Sequence, residues 1–289
     1  MLLQRIITAL ILAPLVVLAV YLLPIPYFTL VVALVMLVAA WEWTGLTGID
    51  SPLMRILFLA LLILPMGGVY FWTYFLEVLA QIFDWPEVRA QSGLLEWLVI
   101  LPVLFWVVVM FLIRNASDAL LKLELKTVYK GLTGWLILFF AWMFLYRMRA
   151  FYGADMVMYF LLLIWIADIT AYFVGKKFGA TKLAPEISPG KTMAGFYGAL
   201  GSAVVSAIVL SLVFGFNLMI GSDFVLLSVL TVLISIYGDL FFSLVKRQQG
   251  VKDTGSILPG HGGLLDRIDS LVAAIPFFYA GILLIRELF

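Results

Sequence analysis

The chain is a succession of long apolar runs separated by short polar segments. Nine runs come close to the ~20 residues needed to cross a bilayer. They are Ile6–Leu23, Tyr27–Trp43, Ile56–Leu76, Trp97–Ile113, Leu132–Tyr146, Met156–Val174, Ala194–Phe216, Phe224–Val245 and Ser270–Ile285. Apolar residues are continuous within each run rather than alternating, which predicts helices and excludes a transmembrane β-barrel. The fifth and last runs are short and call for flanking Trp, Tyr or Arg anchors. The first run resembles a secretory signal only superficially. It has no convincing small-residue cleavage site and leads straight into the second, so it reads as a retained helix. The expected fold is an all-α polytopic membrane protein of about nine transmembrane helices. Residues 1–96 form an N-terminal group of three spans. Residues 97–150 hold a middle pair, a candidate dimerisation region, and residues 151–289 a C-terminal group of four. No internal repeat and no separate soluble domain is evident.

Lys and Arg fall unevenly between alternate loops. Arg5, Arg55, the group Arg114, Lys122, Lys126 and Lys130, the group Lys176, Lys177, Lys182 and Lys191, and the group Lys246, Arg247, Lys252 and Arg267 all share one side. The other side holds Arg89, Arg147, Arg149 and Arg286, with Glu77, Asp84, Glu87 and Glu96 in one of its loops. The positive-inside rule puts the N-terminus in the cytoplasm and the C-terminus outside. A composition 65% hydrophobic, with mean hydropathy +1.15, leaves no room for a soluble globular class. A net charge of +1 argues against nucleic acid as a partner, and the absence of cysteine excludes disulfides and thiol chemistry.

The segment Ser243–Asp269 breaks the apolar pattern. It carries Lys246, Arg247, Lys252, Arg267, Asp253, Asp266, Asp269 and the only histidine, His261. Basic residues beside a bilayer often serve only topology and lipid headgroups. Cations interleaved with carboxylates fit a metal with bound phosphates better. Gly260, Gly262 and Gly263 bracket His261, where a plain inter-helix turn needs one glycine. They would let backbone N–H groups approach an anion. A lone histidine is a poor metal site, so His261 is read as a phosphate or nucleotide contact. Asp168 and Asp239 lie inside apolar spans, where a carboxylate costs roughly 2.5 kcal/mol or more and needs a function or a partner. Asp239 and Asp266 can converge on a divalent cation. Asp168 has two readings of equal weight, a direct role or a buried pair with Lys176 or Lys177. Ser188-Pro189-Gly190-Lys191-Thr192 stands before the seventh span, where a helix N-terminus makes an anion site. It lacks the G-x-x-x-x-G-K-(S/T) spacing of a P-loop, and a simple cap explains it equally well.

Together these residues resemble the phosphatidate cytidylyltransferase (CDP-diacylglycerol synthase) family of bacterial type. The pattern S-x-x-K-R-x4-K-D-x-(G/S/A)-x2-(L/I/F)-P-x-H-G-G-x-x-D-R-x-D is matched by Ser243, Lys246, Arg247, Lys252, Asp253, Gly255, Leu258, Pro259, His261, Gly262, Gly263, Asp266, Arg267 and Asp269. The stretches Ala167–Gly179 and Ser188–Thr192, and Trp41-Glu42-Trp43 near the start, extend the likeness. The chain departs from the usual pattern at Ile169, Thr170, Met193 and Ala194. The resemblance implies a transfer of the cytidylyl group from CTP to phosphatidate, giving CDP-diacylglycerol and pyrophosphate. It implies Mg²⁺ held by Asp239 and Asp266, a second, monovalent cation such as K⁺, and a homodimer in the bacterial inner membrane with its site on the cytoplasmic side. On that reading Lys246, Arg247, Lys252, Asp253, His261, Arg267 and Asp269 serve the reaction. Ser188, Lys191, Thr192, Ser243, Gly262, Gly263 and Asp168 bind substrate. The rivals are a CTP-dependent lipid kinase, which would release CDP, and a transporter coupled through Asp168 and Asp239, which would need a polar path to both faces. A scaffold without catalysis leaves the clustered charges without a reason.

Overall fold

The computed structural model describes residues 2–257 and 262–286. It is a helical bundle in which elements run α1 (Leu2–Leu22), α2 (Ile25–Thr47), α3 (Pro52–Tyr70), α4 (Trp72–Ile82), a 3-10 turn (Pro86–Gly93), α5 (Leu94–Trp97), α6 (Ile100–Leu121), α7 (Thr127–Phe178), β1 (Lys182–Ala184), β2 (Ser188–Thr192), α8 (Met193–Phe214), α9 (Leu218–Gln248) and α10 (Leu265–Arg286). Among the described residues seven helical stretches are long and apolar enough to cross a membrane. The chain is therefore an all-α polytopic membrane protein, with one small antiparallel hairpin, β1–β2, at the edge of the bundle.

The fifth and sixth predicted spans form one element, α7, broken at Gly153, where φ is +84° and ψ −179°. A side chain would be strained there, so the residue that ends one arm and starts the next is glycine. The arms, 127–152 and 154–178, each exceed the bilayer-spanning length, so the fifth predicted run is not short. The last run is likewise longer than its hydropathy suggested, because α10 begins at Leu265. The third run is cut at Phe71, and its tail belongs to α4.

Contacts between distant segments sort into two ends. At one end Trp43 Nε1 donates to the Lys130 carbonyl at 3.0 Å, and Gln248 Nε2 donates to the carbonyls of Leu120 and Leu123 at 2.7 and 3.1 Å. These bonds tie α2 to the start of α7, and the end of α6 to the end of α9. At the other end Arg149 Nε donates to the Val20 carbonyl at 3.0 Å, at the carboxyl end of α1, where a cation also suits the helix dipole. Arg147 is buried there between Glu96 and Tyr279, binding the Glu96 carboxylate that also accepts from the Tyr279 hydroxyl. Just below the first end, Trp43, Trp106, Phe241 and Phe242 pack in stacked, edge-to-face and tilted pairs, with centroids 5.4–6.4 Å apart. This is the spacing at which aromatic pairs attract beyond simple burial, and it fixes α2, α6 and α9 beneath the polar residues described next.

Candidate functional site

Five helix ends meet at the first end of the bundle: the carboxyl ends of α2, α7 and α9 and the amino ends of α8 and α10. A polar cavity of about 320 Å³ opens between them, lined by Asp168, Asp239, Lys246, Asp253, Asp266, Arg267, Asp269 and Ser270. Its wall is almost wholly polar. A second cavity, about 670 Å³, shares Asp168 and Asp239 with it and extends between α7, α8 and the hairpin. Lys176, Lys182, Ser188, Lys191 and Thr192 line that second space, with Ala171, Tyr172 and Phe196 on its apolar side. Further along α7 and α8 lies an apolar groove of about 610 Å³ that includes Ile166, Thr170, Gly201 and Val205.

Two lysines hold the carboxylates. Lys191 Nζ lies 2.5 Å from Asp239 Oδ2, and Lys246 Nζ lies 2.7 Å from Asp266 Oδ1. Asp239 also accepts from Ser243 Oγ at 3.3 Å, one helical turn on, so Ser243 orients a carboxylate. One oxygen of Asp266 is fully engaged. Its Oδ2 accepts from the N–H groups of Thr254 and Gly263 at 2.8 and 3.0 Å, and from Thr254 Oγ1 at 3.1 Å. Asp269 is buried and accepts from its neighbour Ser270 N–H at 2.8 Å. Asp239 and Asp266 line one cavity, each paired with its own lysine.

Several expectations change. The Ser188–Thr192 stretch is a β-strand rather than the start of a helix, and only Thr192 caps, accepting from Gly195 N–H at 3.1 Å. Proline at 189 keeps this stretch extended, and the hairpin delivers Lys191 sideways to Asp239. The alternative pair of Asp168 with Lys176 or Lys177 is not formed. Those ammonium groups sit over the rings of Tyr172 and Phe178, at 5.8 and 5.1 Å. Among the described residues Asp168 makes no ion pair within 4 Å and opens into both cavities. Arg247 reaches away from the cavity, where its Nε donates to the Ile187 carbonyl at 3.3 Å and steadies the hairpin. Lys252 is exposed and lines neither cavity. Leu258, Pro259, Gly260 and His261 lie outside the described residues, and so does the role assigned to His261.

The glycines also have a different neighbour from the one expected. Their surroundings hold anions, but these are carboxylates of the chain itself. Glu42, on α2 and only 4% exposed, accepts from Leu264 N–H at 2.9 Å through one oxygen. Through the other it accepts from Leu265 N–H at 2.8 Å and Thr254 Oγ1 at 3.1 Å. A Cβ on Gly263 would stand 2.0 Å from Thr254 Oγ1 and 2.6 Å from Glu42 Oε2, and one on Gly255 would stand 2.8 Å from Glu42 Oε1. Gly262, at φ +87°, lies beside Asp253 and Asp266. Glu42 and Thr254 were missed as site residues. The available signal was that Glu42 is the single charge of its span, the same oddity that singled out Asp168 and Asp239.

Carboxylates and lysines thus crowd at a junction of helix ends in a polytopic membrane protein, and the class this sets is a membrane enzyme. The comparisons agree. The model of the cytidylyltransferase family matches residues 3–285, and the chain belongs to that family. Its relatives include the phosphatidate cytidylyltransferase of Haemophilus influenzae, 36% identical over 96% of this chain and 97% of that one. That of Pseudomonas aeruginosa is also 36% identical, over 97% of this chain and 96% of its own. That of Bacillus subtilis is 44% identical over 44% of this chain and 47% of its own.

Proposed function

We propose that this chain moves the cytidylyl group of CTP onto a phosphate oxygen of phosphatidate, at the cytoplasmic face of the bacterial inner membrane. A P–O bond forms between the lipid phosphate and the α-phosphorus. The bond from that phosphorus to the bridging oxygen breaks, and pyrophosphate leaves with CDP-diacylglycerol as the other product. The observation that carries this reading is the junction of the two cavities at Asp168 and Asp239. One side is almost wholly polar and suits a triphosphate. The other sets Lys176, Lys182 and Lys191 against Ala171, Tyr172 and Phe196 and suits a lipid with an anionic head.

The chain's own residues do most of this work by charge and placement. Lys246 and Arg267 line the polar cavity and offset the repulsion between the two substrates, and Lys191 and Lys182 do the same in the second cavity. A lipid phosphate is already ionised at neutral pH, so the attack requires no strong base. The donor set fits Mg²⁺ in kind, because every acidic group at the cavity offers hard carboxylate oxygens. Among the described residues no three acidic or imidazole groups stand together at ligating distance. Mg²⁺ is ordinarily held by one or two protein carboxylates together with waters and substrate phosphates. Asp239 and Asp266 would hold it, and when bound it would supply Lewis-acid neutralisation of the triphosphate.

The same reading includes nine crossings, with the N-terminus inside and the C-terminus outside, in a homodimer. The two-ended sorting of contacts supports the count. The engagement of Arg147 and Arg149 by protein groups at the far end supports the orientation, since neither is left to hold a loop inside.

The test follows pyrophosphate and CDP-lipid from detergent-solubilised protein given CTP, phosphatidate and Mg²⁺. Stoichiometric release of both products is expected. CDP with a phosphorylated lipid would point to a kinase, and absence of either product from folded protein would refute the reading. Asp239→Asn is the cleaner control than Asp266→Asn, because Asp266 also holds Thr254 and Gly263 in place.

A further inference from the structure

Among the described residues one carboxylate outside the lining of both polar cavities lies at the centre of the site's architecture. Glu42 is buried on α2, more than two hundred residues from the groups it binds. Leu264 stands just before α10 and Leu265 begins it, and their N–H groups have no partner within that helix. Helices usually meet this need with a side chain of their own amino end. Here a second helix supplies the acceptor, and its negative charge sits at the positive end of the α10 dipole. The Leu264 and Leu265 N–H groups and the Thr254 hydroxyl all donate to it.

The same contacts reach Asp266. The Thr254 hydroxyl stands 3.1 Å from both Glu42 Oε2 and Asp266 Oδ2. It has one proton for two carboxylates, so the position of either constrains the other. Thr254 N–H and Gly263 N–H fix Asp266 Oδ2, which leaves Oδ1 turned toward Lys246. Glu42 thus holds the start of α10 and the Thr254 corner together, and the direction of Asp266 follows from those two. Gly255 and Gly263 are small because the Glu42 carboxylate enters between them.

We propose that Glu42 is a positioning residue for the transferase site. Acting through Thr254 and the first turn of α10, it sets the direction in which Asp266 and its partner Lys246 meet the triphosphate. The inference rests on the reading of that cavity as the CTP site.

Glu42→Gln keeps the size of the side chain but replaces one acceptor oxygen by an NH₂ donor. One of the Leu264, Leu265 and Thr254 donors is then left facing another donor. The full-length protein in detergent is measured three ways: kcat and KM for each substrate, thermal midpoint, and hydrogen exchange of peptides covering 251–257 and 262–268. A misdirection of Asp266 by a fraction of an ångström is expected to lower kcat by roughly 10- to 100-fold. The KM for phosphatidate should stay within about twofold, since that cavity is untouched. Exchange at 262–268 should accelerate about tenfold or more while α7 and α8 keep their protection. Thr254→Val, which removes only the shared hydroxyl, should shift the same quantities in the same direction by less. Glu42→Asp, with both oxygens but a shorter reach, should recover part of the loss. Unchanged kcat in Glu42→Gln overturns the proposal. So does a fall in thermal midpoint with faster exchange throughout the molecule and normal turnover per folded molecule, which is a purely structural role. Failure of the unsubstituted protein to make CDP-lipid appears before any variant is made. It sinks the transferase reading and this inference's catalytic half with it, while exchange at 262–268 still decides whether Glu42 holds the corner.

Discussion

Gly263→Ala adds one carbon at the tightest point of the loop before α10. The new Cβ would lie 2.0 Å from Thr254 Oγ1 and 2.6 Å from Glu42 Oε2, and neither atom belongs to a freely moving side-chain end. The hydroxyl is held between two carboxylates, and the carboxylate is held by two peptide N–H groups. Overpacking of this kind costs about 1–3 kcal/mol. Removing the obstruction with Thr254→Ala sacrifices a hydrogen bond to a charged group, about 1.5–3 kcal/mol. If the two residues collide as described, the double variant should be less destabilised than the sum of the singles by at least ~1 kcal/mol, well outside the ~0.3–0.5 kcal/mol expected of independent sites. Gly190→Ala is the reference, because nothing lies within 4 Å of its would-be Cβ. Thermal midpoints of the four proteins in one detergent, with exchange rates at 262–268, give the comparison. A stability of Gly263→Ala equal to that of Gly190→Ala, or strict additivity with Thr254→Ala, would refute the reasoning. It would also restore the simpler view that the glycine exists only for an incoming ligand.

Asp239→Asn should lower kcat by at least about 100-fold with little loss of thermal stability, checked by product formation per folded molecule. Lys246→Ala should raise the KM for CTP and reduce kcat, since its ammonium lies 2.7 Å from Asp266 on the cavity wall. Lys252→Ala, from an exposed residue outside both cavities, should change either constant by no more than about twofold. Arg147→Met, at the opposite end, breaks a buried pair with Glu96 whose arginine side chain is 7% exposed. It should cost about 3–5 kcal/mol in stability, read as a lower thermal midpoint with kcat per folded molecule unchanged.

The helical class and most spans were legible because a bilayer demands length and apolarity and leaves few other ways to satisfy a backbone. The boundaries were less so, for a definite reason. Arg147 and Arg149 lower the hydropathy of α7 just where the helix continues, so the chain looked polar and loop-like from 147 to 155. In the fold those guanidinium groups are absorbed by Glu96 and by carbonyls at the end of α1. A polar residue matched by a partner from another helix is invisible to any scan along one chain. Gly153 marks the true break, and a lone glycine in an apolar helix carries no sign that its φ will be positive. The Ser188–Thr192 stretch was misread for a related reason. Thr192 does cap α8, but whether the residues before it are helix or strand depends on their pairing with Lys182–Ala184.

The site was legible as a set of ionisable residues but not as a set of pairs. Asp168, Asp239, Asp266 and Asp269 stood out because charge is expensive in apolar surroundings, and all four line the polar cavity. What each carboxylate does depends on its partner, and the partners are not marked by any motif: Lys191, from the hairpin, for Asp239, and Lys246, Thr254 and Gly263 for Asp266. The glycine-rich loop shows the limit most clearly. Its composition implied that backbone N–H groups approach an anion, since glycine removes the side chain that would block the approach. Composition could not say which anions. Two are covalently part of the chain, Glu42 and Asp266. This inverts the physical argument for the glycines: they are small first of all so that α2 can dock a carboxylate against the start of α10. The loop's exposure to an incoming phosphate then depends on a contact that no local motif contains. A chain that lost Glu42 would therefore be free to replace Gly255, whereas Gly263 would still be held small by Thr254 Oγ1, 2.0 Å from its would-be Cβ.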